Sequence, residues 1–162
     1  MKAVVSARPS PHRVESDPSG LATYGWDLAL ADKVALEAAR RASESTTVVG
    51  VGGERAERAV RTGLRSGADD ALRVTFEPVD PLAPARYAAV LATVARREGA
   101  DLVVVGQAAP EMGAEVTGFL AESLGWPAVA PVTGLGAGDA DEATACEGEL
   151  VLRRTRDGRR TA

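Results

Sequence analysis

Short runs of β-branched and small apolar residues alternate along this chain with longer stretches whose apolar residues recur at helical spacing. That alternation predicts βαβ units on a parallel sheet. Residues 2–7 (KAVVSA) read as the first strand, ended by Pro9 and Pro11. Residues 46–51 (TTVVGV) read as the second, nearly all apolar or β-branched, as a strand covered on both faces requires. Residues 71–75 supply a third strand and residues 101–105 (DLVVV) the clearest one. Helices are expected over 27–42, with Leu30, Val34 and Ala38 as the apolar stripe, and over 54–66, with Ala56, Val60 and Leu64. A third helix is expected from Asp80 as N-cap and Pro81 at its first position to Glu98, with Tyr87, Leu91 and Val94 facing the sheet. A fourth spans 115–124, and Gly67, Gly99 and Gly125 close three of the helices. Residues 128–132 and 149–154 are the last strand candidates, separated by a Gly/Asp/Ala-rich solvated turn, and residues 8–25 read as a long loop. The expected fold class is α/β: a doubly wound, mostly parallel sheet with helices on both faces. Residues 4, 48, 49 and 102–104 should then be almost fully buried.

A length of 162 residues suits a single domain with a sizeable core, residues 133–162 forming a less regular C-terminal segment. The net charge of -4 supplies no basic surface for nucleic acid. One cysteine, Cys146, excludes an internal disulfide, and one histidine, His12, excludes a His-pair metal site. No apolar run approaches the ~20 residues of a membrane span and no signal-peptide core stands at the start, so no membrane insertion and a cytoplasmic location are expected.

Three loops follow strand ends: residues 6–10, 50–54 and 106–117. Ligands of open parallel sheets bind outside the carboxyl ends of the strands, and the second and third loops carry glycines and lead into helix N-termini suited to phosphate. Glycine turns also serve packing alone in any such fold. No catalytic constellation is evident. Ser6 and Ser10 lack a matched base, His12 lies in the long loop, Asp69-Asp70 and Asp139/Asp141 sit in turns, and Cys146 is isolated. A binding or carrier role is favoured over an enzyme with its own active site.

VALEAARR (34–41), RTGLRSGAD (61–69), DLVVVG (101–106), Thr117-Gly118 and LGWP (124–127) follow one another as in the β subunit of electron-transfer flavoproteins, which this chain resembles. The opening MKAVVSARP and the closing ELVLRRTRDG are similar to the same family. The resemblance implies an adenine-nucleotide α-hydrolase-like fold and AMP, or a second FAD, held by the subunit itself. It implies a partner α subunit with which FAD is shared, and electrons accepted from flavin dehydrogenases. Residue by residue, nucleotide contacts would fall on Ser6, Ala7, Val51, Gly52, Gly106, Ala109, Met112, Glu115, Val116 and Thr117.

Two departures bear on that site. The family's Asn-Gln before Thr-Gly is replaced by Glu115-Val116, which offer no amide donors, and Glu115 would repel a phosphate. The family's Asn-Pro before the first helix is replaced by residues 28–33 (LALADK). The chain ends at Ala162, ahead of the family's C-terminal arm, so a truncated or divergent member is expected. Its last strand, 149–155, should then present an uncovered edge. A nucleotide-free paralogue serving as an interaction or scaffold domain remains open, as does a universal-stress-like ATP-binding domain.

Overall fold

The computed structural model describes residues 1–16, 22–75, 83–107, 113–130, 132, 134–137, 150–156 and 159–161. Strands β1 (Lys2–Ser6), β4 (Ser45–Val51), β5 (Asp70–Val74) and β6 (Leu102–Val104) form one sheet in the order β5-β4-β1-β6. Every pairing in it is parallel. Helices α1 (Leu30–Ala42) and α2 (Glu54–Arg65) cover one face, and α3 (Pro84–Glu98) and α4 (Gly113–Leu124) cover the other. The fold is the doubly wound α/β architecture the alternation predicts.

Strand periodicity divides the core in two. Ala3, Val5 and Ala7 of the first segment join Val48 against Leu36, Ala39, Ala59 and Val60 of α1 and α2. Val4, Val49 and Val51 join Tyr87, Leu91, Val116 and Leu120 of α3 and α4. Val4, Val5, Val48 and Val49 are all 0% exposed. Each contributes about 1.5–3 kcal/mol relative to exposure.

Leu102, Val103 and Val104 are only half-buried, against the expectation of almost complete burial. Among the described residues β6 is an edge strand with β1 as its one neighbour, so half of its flank lacks cover. The apolar stripes also differ from the expected rows. Leu30 is 76% and Val34 63% exposed, while Asp32, Ala35, Leu36, Ala39 and Ala42 face the core. The alanine row lets α1 approach the sheet closely, which the larger Leu30–Val34 row would prevent. In α2 the buried residues are Ala56, Ala59, Val60 and Gly63, and Leu64 is exposed. A Cβ on Gly63 would lie 2.8 Å from a methyl of Val48, so glycine is what brings α2 onto β4. In α3 the expected Tyr87, Leu91 and Val94 are buried. It begins at Pro84, whose fixed φ suits a first helical position, whereas Asp80 and Pro81 lie outside the described residues. Gly99 ends it in the left-handed region (φ 62°, ψ 41°), and Gly67 and Gly125 also take positive φ.

The segment expected to be a long loop is an antiparallel hairpin of β2 (Pro9–Ser16) and β3 (Ala22–Leu28), with a register shift between Arg13 and Glu15. His12 is exposed and pairs in register with Gly25. Thr23, Tyr24 and Trp26 are strand formers that the surrounding Pro, Ser and Gly residues obscure in the sequence. The Arg55 guanidinium stacks 4.1 Å from the Trp26 ring centroid, joining β3 to α2. Asp27, at the end of β3, accepts a hydrogen bond of 2.6 Å from Lys33 of α1. Burial pushes the Asp27 carboxyl up, but hydrogen bonds from Lys33 and Thr62 outweigh it and bring the pKa down to about 2.

Residues 128–130 and 132 are in no strand. Within the turn expected to be solvated, β7 (Gly134–Ala137) instead pairs antiparallel with β8 (Leu150–Arg156), which also pairs with β9 (Arg159–Thr161). β7 thus pairs with residues 150–153 of the last long strand and β9 with residues 154–156, so each of its flanks is covered over part of its length. Arg156 and Arg159 face each other across two residues, Asp157-Gly158 in the sequence, the composition such a short hairpin connection favours.

Candidate functional site

The carboxyl ends of β1, β4 and β6 lie side by side. From β1 the chain goes on to α1 on one face, and from β6 to α4 on the other. The connections thus diverge between β1 and β6, the position where open α/β sheets form a ligand crevice.

Polar side chains replace the apolar core there. Ser6 is 1% exposed, and its hydroxyl shares a hydrogen bond of 2.8 Å with the hydroxyl of Tyr87 from α3. Burial pushes the Tyr87 phenol up to about 12, against the lowering effect of the Ser6 hydrogen bond. Ala7 is fully buried and its N–H continues the ladder to the Val49 carbonyl.

Arg8 follows, and Asp32 meets it from the third residue of α1. The Arg8 backbone N–H (2.8 Å) and Nε (3.1 Å) donate to Asp32 Oδ2, and Nη2 donates to Oδ1 (2.8 Å). Nη2 also donates to the Gly106 carbonyl. The side chains are 13% and 0% exposed. Burial pushes the Asp32 carboxyl above the ordinary carboxylate range, opposed by the Arg8 hydrogen bonds and charge. Burial would lower the Arg8 guanidinium, but Asp32 holds it above its usual value. Among the described residues no buried side-chain polar atom lacks a hydrogen-bond partner. With side chains 13% and 0% exposed, the Arg8–Asp32 pair is a buried ion pair and not a solvated surface one.

Val51 is 8% exposed, and the Gly52 N–H already bonds the Val74 carbonyl of β5. Gly53 then precedes α2, whose first turn has no side-chain cap. Gly106 is buried against α1. At α4, Glu115 is exposed, Val116 is 1% exposed within the α3–α4 core, and Thr117 is half-buried. Ala109 and Met112 lie outside the described residues. The structure therefore gathers Ser6, Ala7, Val51, Gly52 and Gly106 at one end of the sheet. Asp69 serves the fold: its carboxylate accepts from the Thr46 N–H (2.7 Å) and hydroxyl (3.0 Å), which hold its pKa down.

Sequence reasoning missed Arg8, Asp32 and the hydroxyl of Tyr87. One signal was present, since Asp32 is the lone charge on the row Asp32–Ala35–Leu36–Ala39, but it is visible only once that row is known to face inward. Among the described residues no group of three or more His, Cys, Asp or Glu side chains could hold a metal ion. No described helix is long and apolar enough to cross a membrane.

A doubly wound sheet with a polar switch point defines the class of open α/β domain whose ligands bind outside the carboxyl ends of the strands. Residues 21–160 match the electron transfer flavoprotein domain. The chain is 37% identical over 123 residues to the electron transfer flavoprotein subunit beta of Bradyrhizobium diazoefficiens, covering 70% of this chain and 48% of that one. It is 33% identical over 125 residues to the human subunit beta, covering 71% and 49%. The mitochondrial subunit beta of Oryza sativa subsp. japonica is 34% identical over 125 residues, with the same coverage. The chain belongs to the electron transfer flavoprotein family and is similar to its β subunits. It spans about half the length of the curated relatives it matches.

Proposed function

We propose that the chain is an electron-transfer flavoprotein β-like subunit that holds AMP, or FAD, where β1, β4 and β6 end. In this reading it partners an FAD-carrying α subunit and passes electrons from flavin dehydrogenases, in the cytoplasm, as a carrier without an active site of its own. The observation that carries the reading is the divergence of the chain between β1 and β6, with buried polar groups gathered at that point. The residues suit an adenine nucleotide. The uncapped start of α2 leaves backbone N–H groups for a phosphate, although Glu54 and Glu57 in the same turn already complement the helix dipole. Ser6-Ala7 and Val51-Gly52 would line the crevice, and Gly106, Ala109, Met112, Glu115, Val116 and Thr117 would supply its remaining side. Val116 would contribute through its backbone, because its side chain belongs to the core.

The α-type partner is the other half of the reading. β8 and β9 carry Arg153, Arg154, Arg156, Arg159 and Arg160 within eight positions, with Asp157 as the one acid among them. Such a run of positive charge disfavours association with a second copy of the same segment and suits an acidic partner surface.

The exposure of Glu115 in the first turn of α4 favours a second reading, a nucleotide-free interaction domain. Mass spectrometry of ligand released from the purified protein and titration calorimetry with AMP separate the two. Glu115→Asn is expected to tighten AMP binding several-fold, roughly the effect of removing one like charge near a phosphate. Absence of AMP binding by both proteins, with no nucleotide released from either, would count heavily for the interaction domain.

A further inference from the structure

We propose that Arg8 and Asp32 are the positioning residues of this crevice: together they fasten the start of the β6–α4 connection to α1, so that this connection meets a nucleotide in a fixed place. The inference rests on the nucleotide reading above and assigns a role to two residues that make no ligand contact themselves.

Arg8 leaves the carboxyl end of β1, Asp32 belongs to the first turn of α1, and Gly106 follows β6. These are the three segments that diverge at the switch point. The pair meets the backbone of Gly106 from both partners: Arg8 Nη2 donates to its carbonyl, and its N–H holds the Asp32 pKa down against burial. The contact is close as well as bonded. A Cβ on residue 106 would lie 2.4 Å from Asp32 Oδ1 and 2.5 Å from the carbonyl carbon and oxygen of Ala31. Glycine is therefore required where the connection presses onto the helix. Arg8 is 13% exposed and has its Nε and Nη2 donors turned to Asp32 and Gly106, so it acts through Gly106.

A buried ion pair is not needed for stability as such, since an apolar pair of similar volume often replaces one without loss. An apolar pair cannot hold the carbonyl of Gly106. The double variant Arg8→Met/Asp32→Leu separates the two roles. Two readouts are taken: AMP affinity by calorimetry, and amide hydrogen exchange at Gly106, Gln107 and residues 113–117 without nucleotide. The variant is expected to melt close to the parent, yet to exchange about tenfold faster at those amides and bind AMP about tenfold more weakly, the scale of one or two lost hydrogen bonds. Arg8→Lys, which keeps a donor for Asp32 but not the guanidinium fork, is expected to retain part of both properties. Exchange and affinity within about twofold of the parent in the folded double variant would overturn the proposal. If the double variant does not fold, Arg8→Lys decides: unchanged exchange at Gly106 and Gln107 overturns it, and faster exchange supports it. Should the parent itself not bind AMP, the nucleotide reading fails, while the exchange result still decides the clamp.

Discussion

The middle of β1 and its carboxyl end are three residues apart and are held by different physics. Val4 and Val5 are wholly enclosed by aliphatic side chains on the two faces of the sheet. Ser6 and Arg8 are nearly as buried, yet each is held by directed bonds to a distant segment: Ser6 to Tyr87, and Arg8 to Asp32 and Gly106. Apolar packing is tolerant of partner identity and fails in proportion to the volume removed. The polar end is intolerant, because removing one partner strands another group without water. The strand thus runs from a region held by apolar packing into one held by directed hydrogen bonds.

The sharpest break in that comparison is Arg8→Met alone, which leaves the Asp32 carboxylate buried and unpaired. A loss of about 3–5 kcal/mol is expected by denaturant unfolding. Without Arg8 the Asp32 pKa rises further above its unfolded value. The folded form then gains protons relative to the unfolded one, so the variant should recover stability as the pH falls from 8 toward 5. A deficit that does not change with pH would mean that Asp32 is not the stranded charge.

In the apolar region, Leu91→Ala should cost about 2–5 kcal/mol, because Leu91 is 0% exposed and a cavity would remain between α3 and the sheet. That cost should not vary between pH 5 and 8, which distinguishes it from the Arg8 variant in the same measurement.

Tyr87 belongs to both regions, with its ring in the core and its hydroxyl on Ser6. Its folded pKa of about 12 lies above an unfolded value of about 10, so the unfolded state loses its proton first. The stabilisation is complete below pH 10 and is lost as pH rises toward 12, by about 2–3 kcal/mol. Tyr87→Phe should cost about 0.5–1.5 kcal/mol at neutral pH and abolish this part of the alkaline loss, read from unfolding curves at pH 9–12. The smallest effect is expected at Leu30→Ser. Its side chain is 76% exposed despite its apolar character, and the change should stay within about 0.5 kcal/mol. A larger loss would show that this face of α1 is covered in solution.

The four parallel strands and four helices were legible because each is announced by residues close in the chain. β-branched runs mark the strands, the Tyr87–Leu91–Val94 spacing marks the inward face of α3, and Gly99 its end. The resemblance to electron-transfer flavoprotein β subunits was legible for the same reason, being carried by short ordered motifs. The hairpin of β2 and β3 was missed because its strand formers stand among turn residues. The strand of residues 134–137 was missed because glycine-rich β7 gains strand structure only by pairing with β8.

The sequence by itself determined the period and the order of the four parallel strands and the four helices, since both depend on neighbours within a turn or a strand. Only the tertiary structure decided which row of α1 turns inward and what gathers at the end of β1. Arg8 meets Asp32 across 24 positions, Ser6 meets Tyr87 across 81, and Arg8 meets Gly106 across 98. At such separations local preference carries no information about partners. An aspartate on a helix is worth little in water, and becomes a fixed anchor between segments only where the sheet excludes water and brings a guanidinium to it.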